Sequence, residues 1–207
     1  ATAIENGEKI LVYGDYDVDG VTSTALVKTV LAWHGFEAAH YLPHRSRDGY
    51  GLNELGVEEL FAQGINILLT VDCGISDHGP IALANKLGMC VVLTDHHLPA
   101  ETLPPAAAIC NPALPGSPYP SLAGVGMAFF LMAQVNKLKN KKKTSKNLAK
   151  QPNIMPDIRE VLDFVALGTL ADMVPLSGQN RILAKNGLLL LNEGKRPGIA
   201  ALKAVAG

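Results

Sequence analysis

The 207-residue chain is poor in cysteine, with only Cys73, Cys90 and Cys110. They form no CxxC pair and are odd in number, which argues against a disulfide framework or a structural zinc and for a reducing compartment. Long apolar runs are missing too. Stretches such as NILLTV and CVVL are far too short to cross a bilayer, so no membrane partner is expected. No charged segment followed by an apolar stretch and a cleavage site opens the chain, so no secretion signal and a cytoplasmic location are expected. Nor does one charge prevail: 18 Lys and Arg against 19 Asp and Glu leave a net charge of −1. A polyanionic partner must then be met by a local patch rather than by overall charge. What is present is an ordinary globular composition, 48% hydrophobic and 18% charged. The length allows a buried core without covalent staples.

Short apolar runs alternate with amphipathic stretches, the pattern of an α/β protein. EKILVYG (8–14), EAAHYLP (37–43), INILLTVD (65–72) and MCVVLTD (89–95) read as strands. Helices are expected over 21–35, 53–64 and 79–88, each running to a glycine. The alternation predicts a mainly parallel sheet flanked by helices. A proline-rich passage (99–120) follows, with AAICNP as a short edge strand, then a helix at GMAFFLMAQVNKLK and a helical block over about 156–193. No linker separates the two parts, so one domain over 1–207 with a helical C-terminal portion is expected. The last residues, GKRPGIAALKAVAG, read as a helix beginning and cut off, which suggests a piece of a longer chain.

In such a sheet, ligands bind outside the carboxyl ends of the strands. The first strand runs into GDYDVDG, with Asp15, Asp17 and Asp19 at alternate positions. The third ends at Asp72 in TVDCG and the fourth at Asp95, His96 and His97 in LTDHH. A fourth candidate is Asp172 in the apolar segment GTLADMVPL. Taken singly, each has a plain reading: a calcium loop or solvated turn for DxDxD, a capping acid for DCG, a helix cap with two exposed histidines for DHH, a paired acid for Asp172. The DxDxD stretch lacks the glycine and glutamate of an EF-hand loop. Together, carboxylates and one imidazole suit a divalent ion such as Mn²⁺ or Mg²⁺. The number of ligands exceeds the need of one ion with open positions, so two ions sharing a carboxylate fit better. Such a pair lowers the pKa of a bridging water and clamps phosphoryl oxygens, which points to phosphoester hydrolysis.

These four motifs, in this order, make the chain similar to the DHH phosphoesterase superfamily. YLPHRSRDGYGLN (41–53) resembles its single-strand-specific exonuclease branch. The resemblance implies a hydrolase that trims single-stranded DNA from the 5′ end in repair and recombination, with two metal ions, Mn²⁺ first and Mg²⁺ second. It also implies repair or single-strand-binding proteins as partners. Asp17, Asp19, Asp72, His96 and Asp172 match metal ligands, Asp72 as the bridging acid. Asp15 matches a further acid, ligand or one shell out. Asp95 matches the acid that orients His96, and His97 a residue near the scissile phosphate. Tyr13 departs from the pattern, because many relatives have a histidine there. A phenol is a poorer ligand, and Asp15 is expected to take more of the load. Relatives continue into a second domain that helps hold nucleic acid, so the chain alone is expected to be weakly active or inactive.

For the substrate, Arg45 and Arg47 offer guanidinium forks that match phosphate oxygens, against the alternative of a surface ion pair. Backbone N–H groups near Thr22 and Ser23, at the start of a helix placed at Val21, could face an anion, unless these residues merely cap the helix. SLAGVGMAFF holds a GxG that close helix packing explains. KLKNKKKTSKNLAK (137–150), with seven of the 18 basic residues, reads as a solvated loop, a backbone-contacting arm being the alternative. Trp33 reads as helix packing. Two other functions stay open: a phosphodiesterase for dinucleotides or very short oligonucleotides, and a scaffold that has kept the fold without catalysis.

Overall fold

The computed structural model describes residues 2–146 and 156–206, and of residues 141–146 only the backbone. Five parallel strands form one sheet in the order β2-β1-β3-β4-β5: β1 (Ile10–Gly14), β2 (Ala39–Tyr41), β3 (Ile67–Val71), β4 (Cys90–Thr94) and β5 (Ala108–Cys110). The helices are α1 (Thr2–Asn6), α2 (Val18–Trp33), α3 (Glu54–Ala62), α4 (His78–Lys86), α5 (Gly124–Lys146), α6 (Leu162–Ala171), α7 (Gly178–Glu193) and α8 (Pro197–Ala206), with a 3₁₀ turn at Ile158–Val161 before α6. The expected strands, AAICNP as an edge strand and the helical C-terminal portion are all present. Sequence pattern did not anticipate the five-residue α1, too short for a periodic signal.

All five β1 residues are buried because both faces of the sheet are covered. Period-two alternation divides them. Val12, Leu69 and Val71 face Leu26, Val27 and Val30 of α2 with Val125, Phe129 and Val165 from α5 and α6. Leu11, Tyr13, Leu68, Val91 and Leu93 face Val57 and Leu60 of α3 and Ile81 of α4. Trp33 packs at the margin of the first of these clusters, as expected. The basic run is a correction: its residues to Lys146 continue α5 as helix instead of forming a loop, and 147–150 lie outside the described residues. Lys139 pairs with Glu5 at 3.6 Å.

Candidate metal centre

Register alone gathers the first acids. Gly14, Val71 and Thr94 are lateral neighbours at the ends of β1, β3 and β4. Each strand delivers its next residue, Asp15, Asp72 or Asp95, to one edge at a spacing of about 4.8 Å. The strand order also reverses at β1, with β2 on one side and β3 on the other, the usual place for a ligand crevice.

Asp17 is the N-cap of α2, its Oδ1 accepting the Gly20 N–H at 3.0 Å. The helix therefore starts at Val18, not at Val21, and Asp19 lies in its first turn instead of on a loop. Asp19 is buried, with Oδ2 accepting the N–H of Gly124 at 2.7 Å and Oδ1 that of Val125 at 2.9 Å. Asp72 sits in the left-handed backbone region (φ 64°), which aspartate tolerates better than most residues. Its Oδ1 is buried, makes no hydrogen bond, and lies 3.2 Å from His96 Nε2. Asp172 ends α6, where helix carbonyls disfavour an anion. Its Oδ2 is also buried without a hydrogen bond, 3.7 Å from His96 Nε2.

Three triads bring one ligand atom per residue within 4.8 Å of one another: Asp15–Asp17–Asp72, Asp19–His96–Asp172 and Asp72–His96–His97. Asp72 and His96 each belong to two of them. Burial, then repulsion from Asp19 and Asp17, pushes the Asp72 carboxyl far above the usual carboxylate range. Burial also raises Asp19, although the Val125 N–H and His96 pull it back, and it raises Asp15 and Asp172. Crowded, desolvated acids with unused oxygens fit a divalent cation, which would satisfy charge and lone pairs together.

Asp95 has another task than orienting the His96 ring. It is fully buried, and its Oδ1 accepts the N–H of His96 at 2.7 Å, the N–H of His97 at 3.1 Å and a hydrogen bond from His97 Nδ1 at 2.7 Å. Its Oδ2 accepts the Ile75 N–H at 2.9 Å. The ring it orients is thus that of His97. Burial raises the Asp95 pKa, but these donors outweigh it and hold the acid below the usual range, while the Asp95 bond raises His97.

Tyr13 does not face the acids. Its hydroxyl donates to Gly51 O at 2.9 Å and its ring stacks on Tyr41, so it anchors the loop over residues 44–53. Ser23 is 0% exposed, and substrate cannot reach it, because α2 begins earlier and turns Ser23 into the core. The Arg47 fork is taken by Asp48, with Nε–Oδ1 at 2.7 Å and Nη2–Oδ2 at 3.0 Å, which is the surface ion pair. Arg45 has no such acid partner among the described residues and lies over the Tyr16 ring, 5.7 Å from its centre. The sequence reading passed over Tyr16 and Tyr50. Tyr50 is half exposed, edge-on to Tyr16, with its hydroxyl 3.3 Å from His97 Nδ1. The available signal was an aromatic set among acids or glycines in a loop, where no core needs it.

Fold and site together define a class, α/β domains that gather carboxylates and imidazoles at the carboxyl edge of a parallel sheet, at its switch point. The chain belongs to the DHH family, whose N-terminal domain matches residues 9–169. It is 47% identical over 205 residues to a single-stranded-DNA-specific exonuclease RecJ of Salmonella typhimurium, a match covering 97% of this chain and 35% of that protein. The chain thus spans about a third of such a relative's length. A crystal structure of exonuclease RecJ bound to manganese superposes with a TM-score of 0.86 at 34% identity, covering all of this chain and 49% of the other. RecJ from Thermus thermophilus in complex with Mn²⁺ gives 0.81 at 31% identity, covering all of this chain and 28% of that one.

Proposed function

We propose that the chain is one catalytic domain of a metal-dependent phosphodiester hydrolase that removes nucleotides from the 5′ end of single-stranded DNA. The observation that carries this reading is the convergence of Asp15, Asp17, Asp19, Asp72, His96 and Asp172, with buried carboxylate oxygens on Asp72 and Asp172 that accept no hydrogen bond among the described residues. Similar RecJ structures are described as manganese-bound, and the similar Salmonella protein as a single-strand exonuclease.

Asp15 and Asp17 would hold one divalent ion and Asp19, His96 and Asp172 the other, with Asp72 placed between the two groups. When bound, Mn²⁺ or Mg²⁺ ions supply Lewis-acid charge for the phosphoryl oxygens and lower the pKa of a water. His97, held through Nδ1 by Asp95, would stabilise charge on the phosphate with its other nitrogen. Arg45 pairs with a further phosphate, and Tyr16 and Tyr50 offer ring faces to bases. Leu98 and Met173, each next to a site residue, are 84% and 85% exposed, apolar surface that suits nucleobases better than a free phosphate. Three free thiols accord with a cytoplasmic enzyme. Repair and recombination, with repair or single-strand-binding proteins as partners, belong to the same reading.

The test is Mn²⁺ titration followed by electron paramagnetic resonance, beside hydrolysis of 5′- and 3′-labelled oligonucleotides over a length series. Two coupled ions and loss of nucleotides from the 5′ end of longer strands are expected. Turnover confined to dinucleotides would instead support the short-substrate phosphodiesterase. One ion or none would overturn the two-metal assignment.

A further inference from the structure

Asp19 and Asp72 are gripped from behind by backbone that supplies no side-chain ligand. The first two N–H groups of α5 each take one oxygen of Asp19, from Gly124 to Oδ2 and from Val125 to Oδ1. The same Gly124 lies flat against Asp72: a Cβ there would stand 2.4 Å from Asp72 Oδ1 and 2.8 Å from Asp72 Cβ. On α6, a Cβ at Gly168 would stand 2.8 Å from Asp19 Oδ1 and 2.4 Å from Thr22 Oγ1. Separations that short do not occur, so either side chain would displace its neighbour. At Gly126, two residues further along α5, the nearest atom is a Leu122 methyl at 3.1 Å, the end of a side chain that can turn aside. Of the two glycines that open α5, only Gly124, which touches an acid, is approached this closely.

We propose that Gly124 and Val125 of α5, with Gly168 of α6, form a positioning cradle that fixes the carboxylates of Asp19 and Asp72 for the two metal ions. The proposal rests on the metal-binding reading above. Neither glycine touches substrate; each acts through the acid it borders. Two N–H donors set the rotamer and plane of Asp19, and the missing Cβ atoms leave both acids room to lie side by side. Outer contacts of this kind orient ligands as strongly as the ligand residues themselves demand.

The test compares Gly124→Ala and Gly126→Ala with the unaltered protein by Mn²⁺ titration, followed by electron paramagnetic resonance and by melting temperature with and without metal. Gly124→Ala is expected to bind Mn²⁺ roughly 10–100-fold more weakly and, because the added Cβ must push the buried Asp72 aside, to melt lower in the absence of metal as well. Gly126→Ala is expected to bind two ions normally. Unchanged binding by Gly124→Ala, or an equal loss in Gly126→Ala, would overturn the cradle. A measurement without any variant covers the case in which Gly124→Ala does not fold. In the unaltered protein, Mg²⁺ should slow hydrogen exchange of the Gly124 and Val125 amides, because coupling between the acids and their donors is reciprocal. Exchange indifferent to Mg²⁺ while the ion binds would overturn the cradle and leave the metal centre standing. An unaltered protein that binds no metal would overturn both.

Discussion

Asp72 combines a left-handed backbone, near-complete burial and a carboxylate oxygen without a hydrogen bond. Asparagine keeps its shape and tolerates the same φ, whereas alanine would add strain. Asp72→Asn is therefore expected to stabilise the metal-free protein at pH 8 by on the order of 1–3 kcal/mol while abolishing hydrolysis and the coupled-ion signal. Urea denaturation and Mn²⁺ titration check the two halves, and a fully active variant would contradict the shared-ligand role. The arginines separate in the same way. Arg45→Ala is expected to raise KM roughly tenfold by removing a charge-assisted phosphate contact. Arg47→Ala should stay within about twofold, since its fork already belongs to Asp48 and exposed pairs contribute little. Equal effects in steady-state assays on short single strands would undo that distinction.

At the scale of elements, the loop over 44–53 carries Arg45 and Tyr50 and is fastened at three points. Tyr13 donates to Gly51 O, Asp77 Oδ2 accepts the Leu52 N–H at 2.7 Å, and the Tyr41 hydroxyl of β2 donates to Asp48 Oδ2 at 2.8 Å. Asp77 stands at the N-cap of α4 yet makes no capping bond, because its side chain serves the loop instead. Asp77→Ala leaves the Leu52 N–H unpaired and should destabilise by about 1–3 kcal/mol. It should also raise KM more than it lowers kcat, since the proposed function gives the loop to substrate and the metal ligands lie outside it. Denaturation with steady-state kinetics decides, and a pure loss of kcat would argue against the anchoring role.

For the whole molecule, the acid edge makes stability depend on pH and metal together. The folded state raises the pKa of Asp19 to about 6 from 3.8, with Asp72, Asp15 and Asp172 also raised. The folded protein therefore holds protons that the unfolded chain releases. Metal-free stability is full below about pH 3.8 as far as these groups are concerned and is lost as pH rises through the raised values. The melting temperature without metal should fall between pH 5 and 8, and Mn²⁺ should raise it more at pH 8 than at pH 5. At a hundred times its Kd a bound ion adds about 2.7 kcal/mol. Calorimetry at both pH values checks the sign, and a flat profile would count against an assembled acid cluster.

Periodicity and turn residues were enough to place the strands and most helices, because burial of a two-faced sheet demands those patterns from local sequence. The clustered acids were legible for a related reason: a single carboxylate at a strand end can cap a turn, but several at neighbouring strand ends repel one another and so announce a ligand. What each side chain touches was decided by tertiary structure. The N–H groups that hold Asp19 come from residues 105 and 106 positions away. Asp95 takes the ring of His97 and not of His96, Tyr13 turns to Gly51, and Ser23 rotates into the core when α2 starts at Val18. Such choices depend on register, helix phase and loop anchoring. Those are set only when the whole chain packs, since a shift of one residue moves every side chain to another face.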